Sequence, residues 1–366
     1  MATLVAACGG RDADEPAPIR FLHTFSPDET ELVNAMMAER GLAVEGALVP
    51  FARGQQVIHE ILRAGTDCPD LIRIDATWLP GLASYLSAPP ANLGALDWTS
   101  EGFGIATVPS GMLGVPQTVD GLLVVRDAAS PPPASASIAD LVTAARAARS
   151  EDRRHPLGVR VDGYWLVPWL RAEYADLAPD AIAGDGATKA LRSFAALFGD
   201  VAAPPPPSGA ETPDELRRWS SHDVAYWITG PWQLGALHDP ERVAVTALAG
   251  APRGGQLLVV PTCAKQAARG WVLAEELTSI AAETRFAQTF STIPTRVEAL
   301  AAAPPLSRAA SDALRSARML PRRAGTPLLF DDLNPALAAV VAKDATPEEA
   351  IEGVRRGWAR LTKGGK

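Results

Sequence analysis

Residues 19–75 alternate between short apolar runs and amphipathic stretches, and this alternation is the strongest constraint on the fold. Residues 19–25 form an apolar run that predicts a strand. The next four residues, Ser-Pro-Asp-Glu, have the N-cap, early proline and acids that are typical of a helix start. A second strand at 47–50, a helix at about 54–64 and a buried strand at 69–75 follow. Strands that alternate with helices predict a parallel sheet covered by helices.

The rest of the chain predicts a longer series of elements. We expect a loop at 115–120, strands at 121–126, 224–228, 243–248 and 256–260, a helix at 138–148, and helices from 264 onward. In parallel sheets, ligands bind beyond the carboxyl ends of the strands. This rule directs attention to residues 23–26, 51–53 and 75–78, which follow the first three predicted strands.

Length and charge limit the class of protein. At about 100–200 residues per domain, 366 residues predict two domains. The chain has 34 basic and 42 acidic side chains, which gives a net charge of −8 at pH 7. This balance argues against a nucleic-acid partner, because binding polyphosphate needs a local excess of Lys and Arg. No stretch approaches 18 consecutive apolar residues, so the sequence predicts no membrane-spanning helix.

The cysteines and histidines argue against metal and redox chemistry. The three cysteines are Cys8, Cys68 and Cys263, and no pair has CxxC spacing. The five histidines are scattered singly along the chain. We therefore predict no metal site and no cofactor. The odd number of cysteines leaves one thiol that needs a separate role.

Residues 4–8, Leu-Val-Ala-Ala-Cys, resemble a bacterial lipobox, in which the cysteine is lipidated and becomes the mature N-terminus. We predict that residues 1–18 are a truncated lipoprotein signal and tether, that Cys8 carries the lipid, and that only this anchor contacts a membrane. Seven residues precede Cys8 and none is Lys or Arg, so either the true start lies upstream or the match is a coincidence. The alternative is a frayed tail with a buried or free cysteine.

Five segments carry a resemblance to a known family. They are residues 51–56 (FARGQQ), 69–78 (PDLIRIDATW), 114–127 (GVPQTVDGLLVVRD), 228–232 (ITGPW), and 254–296 with its Gly-Gly start and Pro-Thr-Arg end. In this order and spacing they resemble the maltose- and trehalose-type extracellular solute-binding proteins, family 1, of ABC importers. The likeness spans nearly all of residues 19–361.

The resemblance implies a fold. It is an α/β fold of the periplasmic-binding-protein-like II class, with two α/β lobes joined by a hinge and a ligand cleft between them. The N-lobe would comprise residues 19–117 and 257–303, and the C-lobe residues 118–256 and 304–366. The chain would cross between the lobes near 115–120, 253–256 and 302–305.

The resemblance also implies a function. The protein would bind a mono- or oligosaccharide with high affinity in the cleft, and would deliver it to the transmembrane subunits of an ABC permease. It would be periplasmic or extracytoplasmic and would not be an enzyme. One alternative is a binding protein that presents its solute to a chemoreceptor. Another is an enzyme in which Asp75 and Asp120 act as acid and base on a glycoside.

Carboxylates and aromatic rings are the side chains that recognise sugars. Asp75 and Asp120 each stand in a loop at the end of a predicted strand. They match family positions that hydrogen-bond the sugar; the alternative is a cap or turn carboxylate. Trp232 matches a stacking tryptophan, with a core tryptophan as the alternative. Tyr164 or Trp165 would present an aromatic ring from the second lobe, or would pack in its core.

The predicted cleft has further members. Of Thr77 and Trp78, one lines the cleft and the other supports it. Arg322 matches a position that donates a fork of hydrogen bonds, or is a solvated surface residue. Phe25, Ser26, Arg53, Thr118, Gly255, Gln256 and Phe330 complete the predicted set.

Two details refine the prediction. Gln256 stands where family members often have a tryptophan, which favours a smaller or more polar sugar than maltose or trehalose. The resemblance also implies that strands 71–74 and 256–260 are antiparallel neighbours, so that Cys68 and Cys263 meet in a disulfide. The alternative is two separately buried thiols.

Overall fold

The computed structural model of the protein describes residues 17–182, 184–204, 215–237 and 239–363. The predicted lipidation site, Cys8, and nearly all of the predicted signal and tether lie outside these residues. Within them, the chain forms short strands and many helices, which we number separately in chain order.

The strands are β1 (Ile19–His23), β2 (Val44–Leu48), β3 (Leu71–Asp75), β4 (Thr107–Val108), β5 (Gly111–Met112), β6 (Val115–Gly121), β7 (Leu123–Asp127), β8 (Leu157–Gly158), β9 (Tyr226–Thr229), β10 (Val243–Thr246), β11 (Pro252–Val259) and β12 (Arg318–Met319). The helices are α1 (Pro27–Glu39), α2 (Phe51–Ala64), α3 (Leu79–Leu82), α4 (Ala91–Gly94), α5 (Ser100–Ala106), α6 (Ile138–Ala147), α7 (Gly163–Ala172), α8 (Asp185–Ala195), α9 (Glu215–Ser220), α10 (Ala267–Leu277), α11 (Ile280–Phe290), α12 (Val297–Ala302), α13 (Pro305–Ala313), α14 (Leu329–Ala342) and α15 (Pro347–Lys363).

The described residues form two main sheets. The first has the strand order β12-β11-β3-β1-β2. Strands β12 and β3 lie one after the other along one edge of β11, and β6 pairs with the opposite edge. Strands β1, β2 and β3 are parallel, whereas β11 is antiparallel to both β3 and β6. The second sheet has the order β10-β7-β9-β8. Each sheet is packed with helices, so the structure is an α/β protein of two lobes, as the sequence predicts.

The first helix shows how local sequence sets an element. Ser26 accepts a hydrogen bond from the backbone N–H of Glu29, and the Glu29 carboxylate accepts one from the N–H of Ser26. This capping box and the proline at the first helical position fix the start of α1. The helix buries Val33, Met36 and Met37 against the first lobe.

Three local predictions were wrong. Residues 115–120 form most of strand β6 instead of a loop, because β11 pairs with them and buries them although Pro116 and Gly121 are typical loop residues. The second strand, β2, begins at Val44 and ends at Leu48. Strand β12 interrupts the region that we expected to be wholly helical, because two of its residues pair with β11.

The predicted antiparallel pairing of β3 with β11 is confirmed, and it brings two distant cysteines together. Cys68 and Cys263, which are 195 positions apart in sequence, form a disulfide with their Cα atoms 5.8 Å apart. The disulfide joins the chain just before β3 to the loop after β11.

Strands β6 and β11 connect the two sheets. After β6, the chain continues directly into β7 of the second sheet, and β10 of that sheet is followed by β11. These strands therefore form the hinge region between the lobes. The lobe boundaries at 117/118, 256/257 and 303/304 remain a prediction.

Candidate functional site

Strands β3, β11 and β6 bring several predicted site residues to one face of the first sheet. Gln256 on β11 lies opposite Asp75 on β3 and opposite Thr118 on β6, and Gly254 lies opposite Asp120. Cross-strand partners share a face, as do residues two apart on one strand. The register thus places Asp75, Gln256, Thr118 and Asp120 together. We call Asp75, Asp120 and Gln256 the acid floor.

Asp75 lies at the carboxyl end of β3 and is tied to the turn that follows. Its Oδ1 accepts hydrogen bonds from the backbone N–H of Thr77, at 2.8 Å, and from the Thr77 hydroxyl. Its Oδ2 accepts one from Nε2 of Gln256 at 3.3 Å. Burial raises the pKa of the Asp75 carboxyl, and these hydrogen bonds oppose the rise. Thr77 therefore supports the carboxylate.

Asp120 is the more strongly perturbed acid. Burial, and next the negative charge of Asp75, raise its pKa to about 7. The side chain of Gln256, and next the charge of Arg73, lower its pKa in part. The charge of Asp75 acts on Asp120, as expected for carboxyl groups that lie near each other.

Gln256 joins the two acids. Its side chain is buried, with only 7% of the residue exposed. The NH₂ end of the amide faces the carboxylates, because the amide oxygen would be repelled by them. Its Oε1 atom is buried and has no hydrogen-bond partner among the described residues. A buried acceptor without a partner costs free energy, so this atom favours a ligand that donates a hydrogen bond.

Arg73 lies beside the acid floor but is held by other groups. Its Nε donates to Oε1 of Gln117 and its Nη1 to the hydroxyl of Thr24, each at 3.0 Å. Its guanidinium lies 4.3 Å from the centre of the Phe25 ring. A bulge in β6, where pairing shifts between Gln256 and the next residue, accommodates Gln117. Arg73 thus offsets part of the negative charge from within the sheet.

The second lobe contributes an exposed indole. Trp232 is 43% exposed and lies in a 3-10 turn, Pro231–Ala236, that packs against β6. The edge of Trp165 supports it, with ring centres 6.3 Å apart, and Trp165 itself is buried with its Nε1 donating to the carbonyl of Ile228. A Cβ at position 230 would lie 2.1 Å from the Trp232 ring, so a larger residue there would displace the ring from this position. Trp232 is therefore the accessible ring and Trp165 its support.

Tyr164 approaches the acid floor from α7. The side chain of Asp162 caps the start of this helix by accepting from the N–H of Tyr164. Burial raises the pKa of the Tyr164 hydroxyl well above its usual value, and the charges of Asp120 and Asp75 add to the rise. These charges act on Tyr164 because α7 faces the acid floor. Phe330 packs on the same helix start, where a Cβ at position 163 would lie 2.9 Å from its ring.

Several predicted site residues do not join this group. Phe25 is a correction: it is 1% exposed and stacks on Phe286, so its ring belongs to the core of the first lobe. Ser26 is occupied as the N-cap of α1, and Arg53 lies exposed on the first turn of α2. Trp78 is 5% exposed and packs against Gly54, so it supports the cleft.

Arg322 is held by a backbone carbonyl and makes no hydrogen bond to the acid floor. Its Nη1 donates to the carbonyl of Gly104 on α5 at 2.7 Å, and its Nη2 is buried without a partner among the described residues. Burial alone lowers its pKa, so no acid contributes to the shift. Gly255 contributes backbone only: a Cβ there would lie 2.1 Å from the carbonyl oxygen of Thr118.

One aromatic residue was missing from the predicted set. Phe51 is 54% exposed at the start of α2, and its ring centre lies 5.2 Å from that of Trp78. It follows the carboxyl end of β2, the position where parallel sheets bind ligands. The same rule did direct attention to residues 51–53, but only Arg53 of these was included in the predicted set.

A separate concavity of about 490 Å³ lies between β1, β2 and α2. Its lining includes Glu45, Glu60 and the exposed ion pair of Arg20 with Asp67, and it includes none of the acid floor. We take the acid floor as the candidate site, since its buried, unpartnered acceptor and its perturbed acids indicate a ligand. The part of the chain that the structure describes contains no cluster of His, Cys, Asp and Glu suited to a metal. It also contains no helix long and apolar enough to cross a membrane.

The fold of this chain is similar to that of solved structures, of which three are described here. The GacH receptor of Streptomyces glaucescens, solved unliganded and in complex with acarbose, has a TM-score of 0.80 at 22% identity, covering 95% of this chain and 99% of that one. MalE3 of T. maritima, bound to maltose, has a TM-score of 0.81 at 18% identity, covering 94% and 99%. A solute-binding protein from Thermotoga lettingae, bound to α-D-tagatose, has a TM-score of 0.78 at 21% identity, covering 93% and 98%.

These likenesses show that the chain has the fold of sugar-binding ABC solute-binding proteins, with two α/β lobes and a hinge. The predicted fold class is thus confirmed. No family model and no curated protein matches the sequence.

Proposed function

We propose that this protein binds a sugar between its two lobes and delivers it to an ABC importer. The observation that carries the proposal is the acid floor, in which two carboxylates and the unpartnered Oε1 of Gln256 share one face of the hinge sheet. Sugar hydroxyls donate hydrogen bonds to such acceptors. The exposed ring of Trp232 supplies an apolar face for the C–H side of a sugar ring.

The fold supports the same function. The similar structures include proteins bound to maltose, to α-D-tagatose and to acarbose, and all are binding proteins. By analogy, this protein would act outside the cytoplasm and present its closed form to the transmembrane subunits of a permease. Lipidation of Cys8 would hold it at the membrane. In the cleft we place Asp75, Thr77, Thr118, Asp120, Tyr164, Trp232, Gln256 and Phe330, with Trp78 and Trp165 as supports.

The arrangement of the acids disfavours the enzymatic alternative. Glycosidases place two carboxyl groups on either side of the scissile bond, about 5–9.5 Å apart. Here Asp75 and Asp120 lie on one face of a single sheet, on the two strands that border β11. This placement fits the floor of a binding site better than two groups that flank a bond.

A ligand screen tests the proposal. Thermal unfolding of the full-length protein is measured with a panel of mono- and disaccharides, and each positive is followed by calorimetry. A bound sugar at 100 times its Kd should add about 2.7 kcal/mol to the free energy of unfolding. Turnover of the sugar, or a panel in which no sugar raises the melting temperature, would contradict the proposal.

A further inference from the structure

The acid floor has more acceptors than donors. The NH₂ group of Gln256 donates to Oδ2 of Asp75 at 3.3 Å, and the Gln256 side chain also lowers the pKa of Asp120. The Oε1 atom of Gln256 is left buried and without a partner among the described residues. With both acids ionised, the acid floor therefore offers three acceptor groups, two carboxylates and one amide oxygen, to an occupant that donates hydrogen bonds.

The acid floor also has more negative than positive charge. Arg73 is the cation that acts on both acids, and its Nε and Nη1 are engaged by Gln117 and Thr24. Tyr164 faces the acids from α7 and is neutral, since its pKa is raised. The charged groups behind these are Glu29, which acts on Arg73, and Asp162 and Arg171, which act on Tyr164. With both acids ionised, Arg73 balances one of two negative charges.

We propose that the sugar bound in this cleft carries a protonated amino group, which lies between Asp75 and Asp120 and also donates to Oε1 of Gln256. This inference rests on the proposed function and names the class of sugar. An ammonium group has three N–H donors and one positive charge, so it matches three acceptors and one uncompensated charge. A neutral hydroxyl donates a single hydrogen bond and leaves the repulsion between the acids in place.

The residue at position 256 fits the same occupant. Its side chain places a buried, unpartnered acceptor at the middle of the acid floor. Such an atom favours a ligand with a polar, donating group at that point. The ring of Trp232 remains available for the apolar face of the same sugar.

The test compares sugars that differ in the substituent at one carbon, which is charged only in the amino sugars. Affinities of the full-length protein for glucosamine, galactosamine and mannosamine are measured by calorimetry at pH 6.5 with a chelator present, beside the parent sugars and the N-acetylated forms. The acetylated sugars keep the nitrogen but remove its charge. We expect at least one amino sugar to bind about tenfold or more tightly than both of its neutral counterparts.

Two variants and one control locate the effect. Asp120→Asn and Asp75→Asn should each abolish the preference for the amino sugar, and their melting temperatures establish that they fold. Asp344→Asn removes the same charge from an exposed position just beyond the C-terminal end of α14 and should keep the preference. An unchanged preference in both cleft variants would overturn the proposal.

The pH dependence gives a second readout. The pKa of Asp120 is about 7, so between pH 5 and 6.5 the affinity for the amino sugar should rise by nearly tenfold per pH unit as this acid ionises. The acetylated sugar should show no such rise, and the same rise for both would overturn the proposal. If neutral sugars bind as tightly as amino sugars, this inference is wrong and the proposed function stands. If neither class binds, the proposed function itself is wrong.

Discussion

The indole of Trp232 is 43% exposed, although Gly230 and Pro231 before it are buried and the buried Trp165 supports it from one side. An aromatic side chain in such a place contributes little to the core. It keeps a fixed orientation at little cost in conformational entropy, which is the property that a stacking surface for a sugar requires.

Trp232→Ala should therefore weaken sugar binding by about tenfold, since an aromatic contact of about 1.4 kcal/mol is lost. The free energy of unfolding should change by less than about 1 kcal/mol, as expected for a partly exposed residue. Calorimetry and denaturant unfolding measure the two effects. Tyr174→Ala, at a fully exposed aromatic residue after α7, is the control and should change neither. Unchanged affinity in the Trp232 variant would contradict the stacking role.

Glu283 is a second residue whose surroundings decide a chemical property, the pKa of its carboxyl group. Its Oε2 accepts from the backbone N–H groups of Thr295 and Arg296, at 2.7 and 2.8 Å. The Thr295 hydroxyl lies near both Oε1 of Glu283 and the carbonyl of Pro116 on β6, and it has one proton to donate. Both contacts are hydrogen bonds when Glu283 is protonated. Its carboxyl O–H then donates to the Thr295 hydroxyl, and that hydroxyl donates to the carbonyl of Pro116. Burial is the main cause that raises the pKa of Glu283 to about 8.

Glu283→Gln should become increasingly stabilising as pH rises. Between pH 4.5 and 8 the unfolded chain has lost the proton that the folded chain keeps, so the wild-type protein loses stability with rising pH. The amide stays neutral and makes similar hydrogen bonds. From pH 6 to 8 the variant should gain about 2 kcal/mol relative to wild type in denaturant unfolding. Glu31→Gln, at an exposed residue of α1, should show no such trend. A constant difference would mean that Glu283 is already ionised at pH 6.

At the scale of elements, the pairing of β6 with β11 is what assembles the site. It unites Asp120 with Gln256, while β3 brings Asp75 to the other side of β11. The two strands approach closely at their glycines. A Cβ on Gly255 would lie 2.1 Å from the carbonyl oxygen of Thr118, and one on Gly121 would lie 2.5 Å from that of Pro252.

Gly255→Ala should destabilise the protein by about 3 kcal/mol, because the added methyl group meets backbone that cannot move without breaking the pairing. Gly254→Ala is the matched neighbour, since its Cβ would contact only the Asp120 side chain, at 3.1 Å. Its loss of stability should be clearly smaller. Denaturant midpoints measure both variants, and equal effects would mean that the strands can separate freely at this point.

At the scale of the whole molecule, the lobes meet through a small number of hinge contacts. Arg171 on α7 is buried and donates to the carbonyls of Ala251, Arg318 and Met319, at 2.9–3.0 Å. These carbonyls belong to β12 and to the chain before β11, so Arg171 ties the second lobe to the hinge end of the first sheet. The Cys68–Cys263 disulfide lies at the other end of β3 and β11.

Ligand binding should close the two lobes. A sugar that contacts the acid floor and Trp232 together favours the conformation in which both are within reach. The radius of gyration from small-angle scattering should fall when the sugar identified in the screen is added at saturation. With Trp232→Ala, a higher sugar concentration should be needed for the same change. Saturation without any change in the radius of gyration would contradict closure.

The features that depend on neighbouring residues could be predicted from the amino-acid sequence. The start of α1 at Ser26, the strand β3 ending on Asp75 and the helix α6 follow from capping and hydrophobic patterns within a few positions, because such elements form contacts within one turn or one strand. The order of motifs predicted the fold class, and thereby the pairing of β3 with β11.

The features that depend on distant partners arise from the packing of the folded chain and could not be predicted in this way. Residues 115–120 became a strand because β11, more than a hundred residues later, pairs with them. Phe25 entered the core because Phe286 covers it, and Glu283 is buried against Thr295 and Pro116. The acid floor likewise exists only where three strands from separate parts of the chain meet. Burial and charge repulsion depend on distances between groups, and these distances are set when the sheet assembles.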